Sequence, residues 1–270
     1  MDLSNPVYPL APFPAQIMLT PDDLPEINLQ VFNTSHPGYE RFQEFIDVEA
    51  FVEDHIFFIH SQLYDHPQFA YPAPRFIEIR LIETGGGKAV AYTVPSHEDY
   101  RQIYFSLEHL EWLPRARIEL ILRHELVHCY QWGLHSSARR GLIEGIADWV
   151  CMQRGSVDPD WQGRIPERWD AGYADTAYFL AYLENRFGKG TVRRINRKLH
   201  WMWDQKDEER FWFELLGADI EELFEDYKAT FRASDNYHWK AAARYDTYDA
   251  LLEGSENMTF CVPEGSQPLE

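Results

Sequence analysis

The chain has 270 residues and carries 44 acidic side chains against 25 lysines and arginines, which gives a formal net charge of −19. Binding to nucleic acid or to an anionic membrane surface depends on Lys and Arg, so this balance argues against both kinds of partner. Hydrophobic residues make up 45% of the chain, which is too many for a disordered protein. The composition therefore predicts a globular protein with a core of substantial size.

The N-terminus and the cysteines bear on the compartment. The residues up to Pro6 include neither the basic nor the apolar stretch of a signal peptide. We therefore expect an intracellular protein, unless a leader was removed before this numbering begins. No apolar run approaches the roughly 20 residues that span a bilayer. Cys129, Cys151 and Cys261 are odd in number and far apart, which does not indicate a disulfide framework.

Composition and residue patterning divide the chain into three parts. Six prolines in residues 1–25 predict an extended N-terminal arm rather than a packed element. A single domain is predicted over 26–235, because periodic apolar patterns continue through this region. The segment 236–270 is rich in turn-forming residues and is predicted to be a tail.

Strand-like segments come first in the predicted domain, and helical ones follow. The residue pattern predicts four strands, at 27–32, 75–83, 88–94 and 100–107. Apolar residues at helical spacing predict one long amphipathic helix over 39–63. After Pro114 helical spacing predicts five helices, at 115–134, 141–154, 174–187, 190–202 and 219–232. Strands followed by helices indicate an α+β fold.

The first of these five helices contains the most informative segment, 124–128, which reads His-Glu-Leu-Val-His. His124 and His128 are four residues apart, so on a helix their imidazoles project from one face and can share a metal ion. Glu125 lies one step around the helix, where its carboxylate can face a metal-bound water. Zinc suits this set because it accepts imidazole and carboxylate ligands in tetrahedral geometry. A buried structural histidine pair is the alternative interpretation.

A third ligand is expected further along the chain. The extended motif with a third histidine fails, because Leu134 occupies that position and His135 comes one residue late. Sixteen residues after His128, Glu144 and Asp148 share one face of the next predicted helix. One carboxylate can bind the metal while the other accepts a hydrogen bond from a ligating histidine. We predict Glu144 as the ligand and Asp148 as the supporting group, with Asp148 itself as the main competitor for the ligand position.

Segments 124–132 and 141–150 also closely resemble the two metal-site motifs of the plant basic secretory proteins and their bacterial and fungal relatives, a zincin-type peptidase family. Further similarity extends the resemblance over about 25–232, through the segments 89–93, 172–180, 213–217 and 223–227. The resemblance implies a zincin-like α+β fold, with a small twisted sheet, an active-site helix beneath it and a mostly helical C-terminal half.

The activity that the resemblance implies agrees with the interpretation of the residues themselves. A Zn²⁺ ion on His124, His128 and Glu144 would lower the pKa of its bound water toward ~7. Glu125 would take up the proton as general base and return it to the leaving amine. Tyr173 is the candidate donor to the oxyanion, and an ordinary core or surface tyrosine is the alternative.

The substrate expected from the resemblance is a peptide or a protein. It would pair as an extended chain with an edge strand of the sheet, either 88–94 or 100–107. Two other functions stay open, namely a zinc enzyme with a small-molecule substrate and a zincin scaffold used only for binding. The intact Glu125 argues against the scaffold, because a structural zinc site needs no base. The chain is acidic where the founding members are basic and often secreted, so substrate and compartment do not carry over.

Overall fold

A computed structural model of the chain describes residues 23–64, 72–85, 89–97, 99–134, 139–156, 165–200 and 208–233. Most of the predicted arm at 1–25, all of the predicted tail at 236–270, and His135 lie outside the described residues. The division of the chain into these three parts therefore stays a prediction.

The described strands form one mixed four-stranded sheet, and together with the helices they make an α+β fold. The strands are β1 (Glu26–Val31), β2 (Phe76–Ile82), β3 (Ala91–His97) and β4 (Tyr100–Ser106). Their order is β1–β2–β4–β3, in which β1, β2 and β4 run parallel and β3 runs antiparallel to β4. β3 is thus an edge of this sheet, whereas β4 has neighbours on both sides. The alternative that placed the edge at 100–107 is wrong.

Alternation along the strands separates a buried face of the sheet from a polar one. Ile77, Ile79 and Ile103 are fully buried on one face, whereas Glu78 and Arg80 lie on the other.

The helices of the described residues are α1 to α9, in chain order Pro37–Phe45, Val48–Leu63, Leu107–Leu110, Arg115–Tyr130, Arg140–Met152, Tyr173–Phe187, Thr191–Leu199, Glu208–Leu216 and Ile220–Ala233. α4 packs against β3 and β4. Within the described residues, none of these helices is long and apolar enough to cross a membrane.

Several predicted boundaries differ from the observed ones. The single helix predicted over 39–63 is wrong, because Ile46 is extended and the chain continues as two helices, α1 and α2. Asp47 explains the break, since its carboxylate accepts a hydrogen bond from the amide of Ala50 and caps α2. α4 ends at Tyr130, four residues before its predicted end, and α3 is not predicted by the residue pattern.

Two glycines of α5 lie very close to neighbouring backbone or side chains, one of them to α6 and the other to the segment just before α6. A Cβ atom on Gly145 would lie 2.3 Å from Cγ2 of Thr176 on α6, and one on Gly141 would lie 1.8 Å from the carbonyl oxygen of Asp170. The Thr176 hydroxyl is itself engaged, because it donates to the carbonyl of Trp169 and accepts from the amide of Gly172. Only glycine therefore fits at both positions on α5.

Candidate metal centre

α4 and α5 bring three potential ligand atoms to one point. The Nε2 atoms of His124 and His128 are 3.0 Å apart, and Oε2 of Glu144 lies 3.1 Å from the first and 3.4 Å from the second. Ligands about 2.05 Å from a tetrahedral zinc ion are separated by about 3.3 Å. The three atoms therefore already have nearly the spacing of three corners of such a site.

Each of the two histidine rings is oriented by a hydrogen-bond acceptor at its Nδ1 atom. Oδ1 of Asp148 lies 2.6 Å from Nδ1 of His124, and Oε1 of Gln131 lies 2.6 Å from Nδ1 of His128. Gln131 is itself fixed, because its amide group donates to the carbonyl oxygen of Ile143 on α5. With the Nδ1 atoms serving as donors, the Nε2 lone pairs face the shared point, as metal binding requires.

Gln131 is a site residue that the sequence analysis does not predict. It comes three residues after His128 but lies just beyond the end of α4 in extended backbone, so helical spacing does not account for this contact. Asp148, in contrast, lies where the spacing from Glu144 predicts, on the outer side of the His124 ring.

The electrostatics of the cluster favour a positive charge at its centre. Burial opposes a charge on His124, but hydrogen bonds with Asp148 and Glu144 outweigh it and raise the pKa of the ring well above its usual value. Burial likewise would raise the pKa of Glu144, yet its hydrogen bonds with the two imidazoles hold that pKa well below its usual range. Charges that stabilise an imidazolium here would equally stabilise a bound cation.

Glu125 lies beside this cluster and contacts the edge strand. Its side chain is buried, and Oε2 accepts a 2.6 Å hydrogen bond from the hydroxyl of Thr93 on β3. Cys129 is fully buried, and its thiol points at the backbone carbonyl of Glu125, 3.6 Å away. Burial also raises the pKa of this thiol, so Cys129 is a protonated core residue.

Tyr173 lies on the exposed side of the cluster as the first residue of α6. Its ring is nearly parallel to that of His124, with centroids 5.9 Å apart, and its side chain is half-exposed. Burial of the hydroxyl and then the charge of Glu144 raise the pKa of Tyr173 to about 12, so the phenol keeps its proton at neutral pH. Its φ of 45° is unusual for a tyrosine, and such strained residues concentrate at functional sites.

The site thus combines a cluster that could hold a metal ion, a buried carboxylate and a protonated phenol within one α+β fold. The family described as peptidase of plants and bacteria, the basic secretory protein family, matches residues 24–227. This match covers most of the chain, which therefore belongs to that family, and the resemblance noted from the sequence is confirmed. No curated protein and no solved structure matches the chain significantly. Membership supports a peptidase, with peptides or proteins as its substrates.

Proposed function

We propose that this protein is a zinc-dependent metallopeptidase with a zincin-like fold. The observation that carries the proposal is the triangle of potential ligand atoms from His124, His128 and Glu144, with sides of 3.0, 3.1 and 3.4 Å. Two imidazoles and one carboxylate are a protein ligand set of catalytic zinc sites, and a zinc ion held by these three residues would keep one position for water. A small mixed sheet with α4 packed against it supports the zincin-like fold.

The donor set fits zinc on chemical grounds. Imidazole nitrogen suits borderline-soft metals, whereas magnesium and calcium prefer oxygen ligands alone. The acceptors behind the two rings, on Asp148 and Gln131, direct both Nε2 lone pairs inward. A zinc ion held there supplies Lewis acidity, which lowers the pKa of water and polarises a carbonyl oxygen.

The proton transfers of peptide hydrolysis are assigned to Glu125. Its carboxylate would take a proton from the attacking water and deliver it to the nitrogen of the leaving amine. Burial within α4 next to the two histidines supports this role, because the carboxylate is held near the reacting atoms.

The carbonyl oxygen of the substrate needs a hydrogen-bond donor as it becomes negative. We assign this donor to Tyr173, whose ring lies over His124 and whose phenol keeps its proton at neutral pH. The half-exposed position of the side chain supports the assignment, since the donor has to meet substrate arriving from solvent.

The peptide substrate is proposed to bind along β3. This strand is an edge of the described sheet and packs on α4, so its free backbone groups run beside the metal-binding helix. An extended peptide can add to such an edge through main-chain hydrogen bonds. The scissile bond would then lie next to the carboxylate of Glu125, which β3 contacts through Thr93.

Metal analysis combined with Glu125→Gln tests the proposal. The purified wild-type protein should contain one zinc ion per chain and cleave members of a broad peptide library. Glu125→Gln should keep the zinc and lose hydrolysis by about 10²- to 10⁴-fold, the usual contribution of a general base. Glu119→Gln is the matched control, because Glu119 lies on the same helix but pairs with Arg115. Absence of zinc, or full activity in Glu125→Gln, would refute the proposal.

A further inference from the structure

On β3, the side chain of Thr93 hydrogen-bonds to Glu125 of the site. Along this strand Tyr92 stacks on Tyr104 of β4, on the polar face of the sheet. The next residue, Thr93, therefore points to the opposite face, towards α4. Its hydroxyl lies 2.6 Å from Oε2 of Glu125 and 3.0 Å from the backbone carbonyl oxygen of the same residue.

The carboxylate is the better acceptor of the two. A hydroxyl has one proton to donate, and hydrogen bonds to an ionised oxygen are shorter and stronger than those to a neutral one. The observed distances agree, since the contact to Oε2 is 0.4 Å shorter (3.0 minus 2.6 Å) than the contact to the carbonyl. The Thr93 hydroxyl thus holds one oxygen of the Glu125 carboxylate and leaves Oε1 for another partner.

We propose that Thr93 is a positioning residue for Glu125. Its hydroxyl fixes the rotation of the carboxylate, so that Oε1 faces the reacting water without a rearrangement during the reaction. This inference rests on the proposed function, in which Glu125 is the general base. A group fixed in advance by its surroundings contributes more to catalysis than one that has to be ordered in each turnover.

The location of Thr93 gives the contact a second consequence. The strand that is proposed to bind the peptide backbone also hydrogen-bonds to Glu125. The scissile bond and the Glu125 carboxylate would therefore both be positioned relative to β3. Glu125 is anchored by α4, and the hydrogen bond ties the orientation of its carboxylate to the position of β3. Misplacement by about 1 Å can cost two orders of magnitude in rate, so such coupling is an advantage for catalysis.

Two substitutions at position 93 separate the hydroxyl from packing. Thr93→Val keeps the shape but removes the donor, and kcat should fall about 10- to 100-fold, as expected for loss of a hydrogen bond to a charged group. KM and zinc content should stay within about twofold of the wild type, because the residue acts through Glu125. Thr93→Ser retains the hydroxyl and should restore most of kcat. Thr93→Ala gives the same test as Thr93→Val should the valine variant fail to fold.

Thr230→Val is the matched control, since the hydroxyl of this exposed residue donates to the carbonyl oxygen of Asp226 on its own helix, α9, which carries none of the site residues. Wild-type kcat in Thr93→Val would overturn the inference while leaving the proposed function intact. Equal losses in Thr93→Ser and Thr93→Val would also overturn it, because they would show that the hydroxyl is not the cause.

A crystal structure of zinc-loaded Thr93→Val tests the inference without any measurement of activity. The Glu125 carboxylate should rotate away from its wild-type position or occupy several, whereas in Thr93→Ser it should remain within hydrogen-bond distance of the hydroxyl. A single unchanged carboxylate position in Thr93→Val would overturn the inference. A wild-type enzyme that cleaves no peptide would refute the proposed function alone, since the structural comparison would still decide whether Thr93 positions Glu125.

Discussion

The two sides of the site differ in burial and in the way that their side chains are held. One side, which we call the helical wall, consists of α4 and α5 and presents His124, His128 and Glu144. The other, which we call the rim, consists of β3 and the start of α6 and presents Thr93 and Tyr173. On the helical wall the imidazoles are buried and each is hydrogen-bonded from behind.

The rim is more open. Thr93 is half-buried and Tyr173 is half-exposed, and Tyr173 has an unusual positive φ. The difference suggests that the two sides have different roles. Buried contacts on the helical wall would fix the metal position, and the more exposed residues of the rim would contact the substrate. Changes to the proposed ligands of the helical wall, or to the acceptors that orient them, should therefore affect metal binding, whereas changes to Glu125 or on the rim should affect turnover with the metal retained.

Removal of a proposed ligand is the largest expected effect. Glu144→Ala should lose the bound zinc and reduce hydrolysis by more than about 1000-fold, because the metal contributes several kcal/mol to the reaction. Zinc content by mass spectrometry and peptide cleavage measure the two effects. Glu225→Ala, on the exposed side of α9, is the control and should behave as the wild type. A zinc-loaded and active Glu144→Ala would place the third ligand elsewhere.

On the rim, Tyr173→Phe removes the proposed oxyanion donor and keeps the ring. We expect kcat to fall about 100-fold, as for other single donors of this kind, with zinc content unchanged. Steady-state kinetics and metal analysis on the same preparation check both statements. Tyr39→Phe makes the same chemical change on α1, which carries none of the site residues. Loss of zinc in Tyr173→Phe would contradict the assignment of metal binding to the helical wall and of turnover to the rim.

Much of the helical wall could be predicted from the sequence, because it depends on spacing within single helices. Positions 124 and 128, and likewise 144 and 148, are four residues apart, which fixes their relative direction once the helix is assigned. The rim contact could not be predicted in this way. Thr93 meets Glu125 across 32 residues, through packing of β3 on α4 that no local pattern encodes.

In the fold too, contacts between distant segments could not be predicted from local patterns. Periodicity predicts that the four strands exist, but their order depends on pairing between distant segments, and β3 pairs with β4 rather than with β2. The division of the segment 39–63 into two helices is a different kind of error. Asp47 is a good N-cap residue, so a local signal for the break was present in the sequence.

Substitution of the acceptors behind the histidines should give an intermediate effect. Asp148→Ala and Gln131→Ala should each weaken zinc binding by about 10- to 100-fold, since such groups orient the ligating rings. The carboxylate of Asp148 should matter more than the neutral amide of Gln131, because it also stabilises positive charge. Competition with a zinc chelator gives the affinities. An equal or larger effect of Gln131→Ala would contradict the electrostatic part of the account.

The smallest expected effect concerns the packing that supports the helical wall. Gly145→Ala would force a Cβ atom against Thr176, and we expect the free energy of unfolding to fall by about 1–3 kcal/mol. Chemical denaturation measures this change. Thr176→Ser removes the nearest contacting atom, Cγ2, so in the double variant part of the loss should be recovered. Additive losses in the double variant would show that Cγ2 is not the cause, which would leave Cβ of Thr176, 2.5 Å from the added carbon, as the contact.

The central claim is a zinc ion on the helical wall with one position left for water. A crystal structure of the metal-loaded protein, with anomalous scattering recorded on both sides of the zinc absorption edge, tests it most directly. We predict one zinc peak per chain, bound by Nε2 of His124, Nε2 of His128 and a carboxylate oxygen of Glu144. No zinc peak at this place, or a zinc ion with four protein ligands, would contradict it.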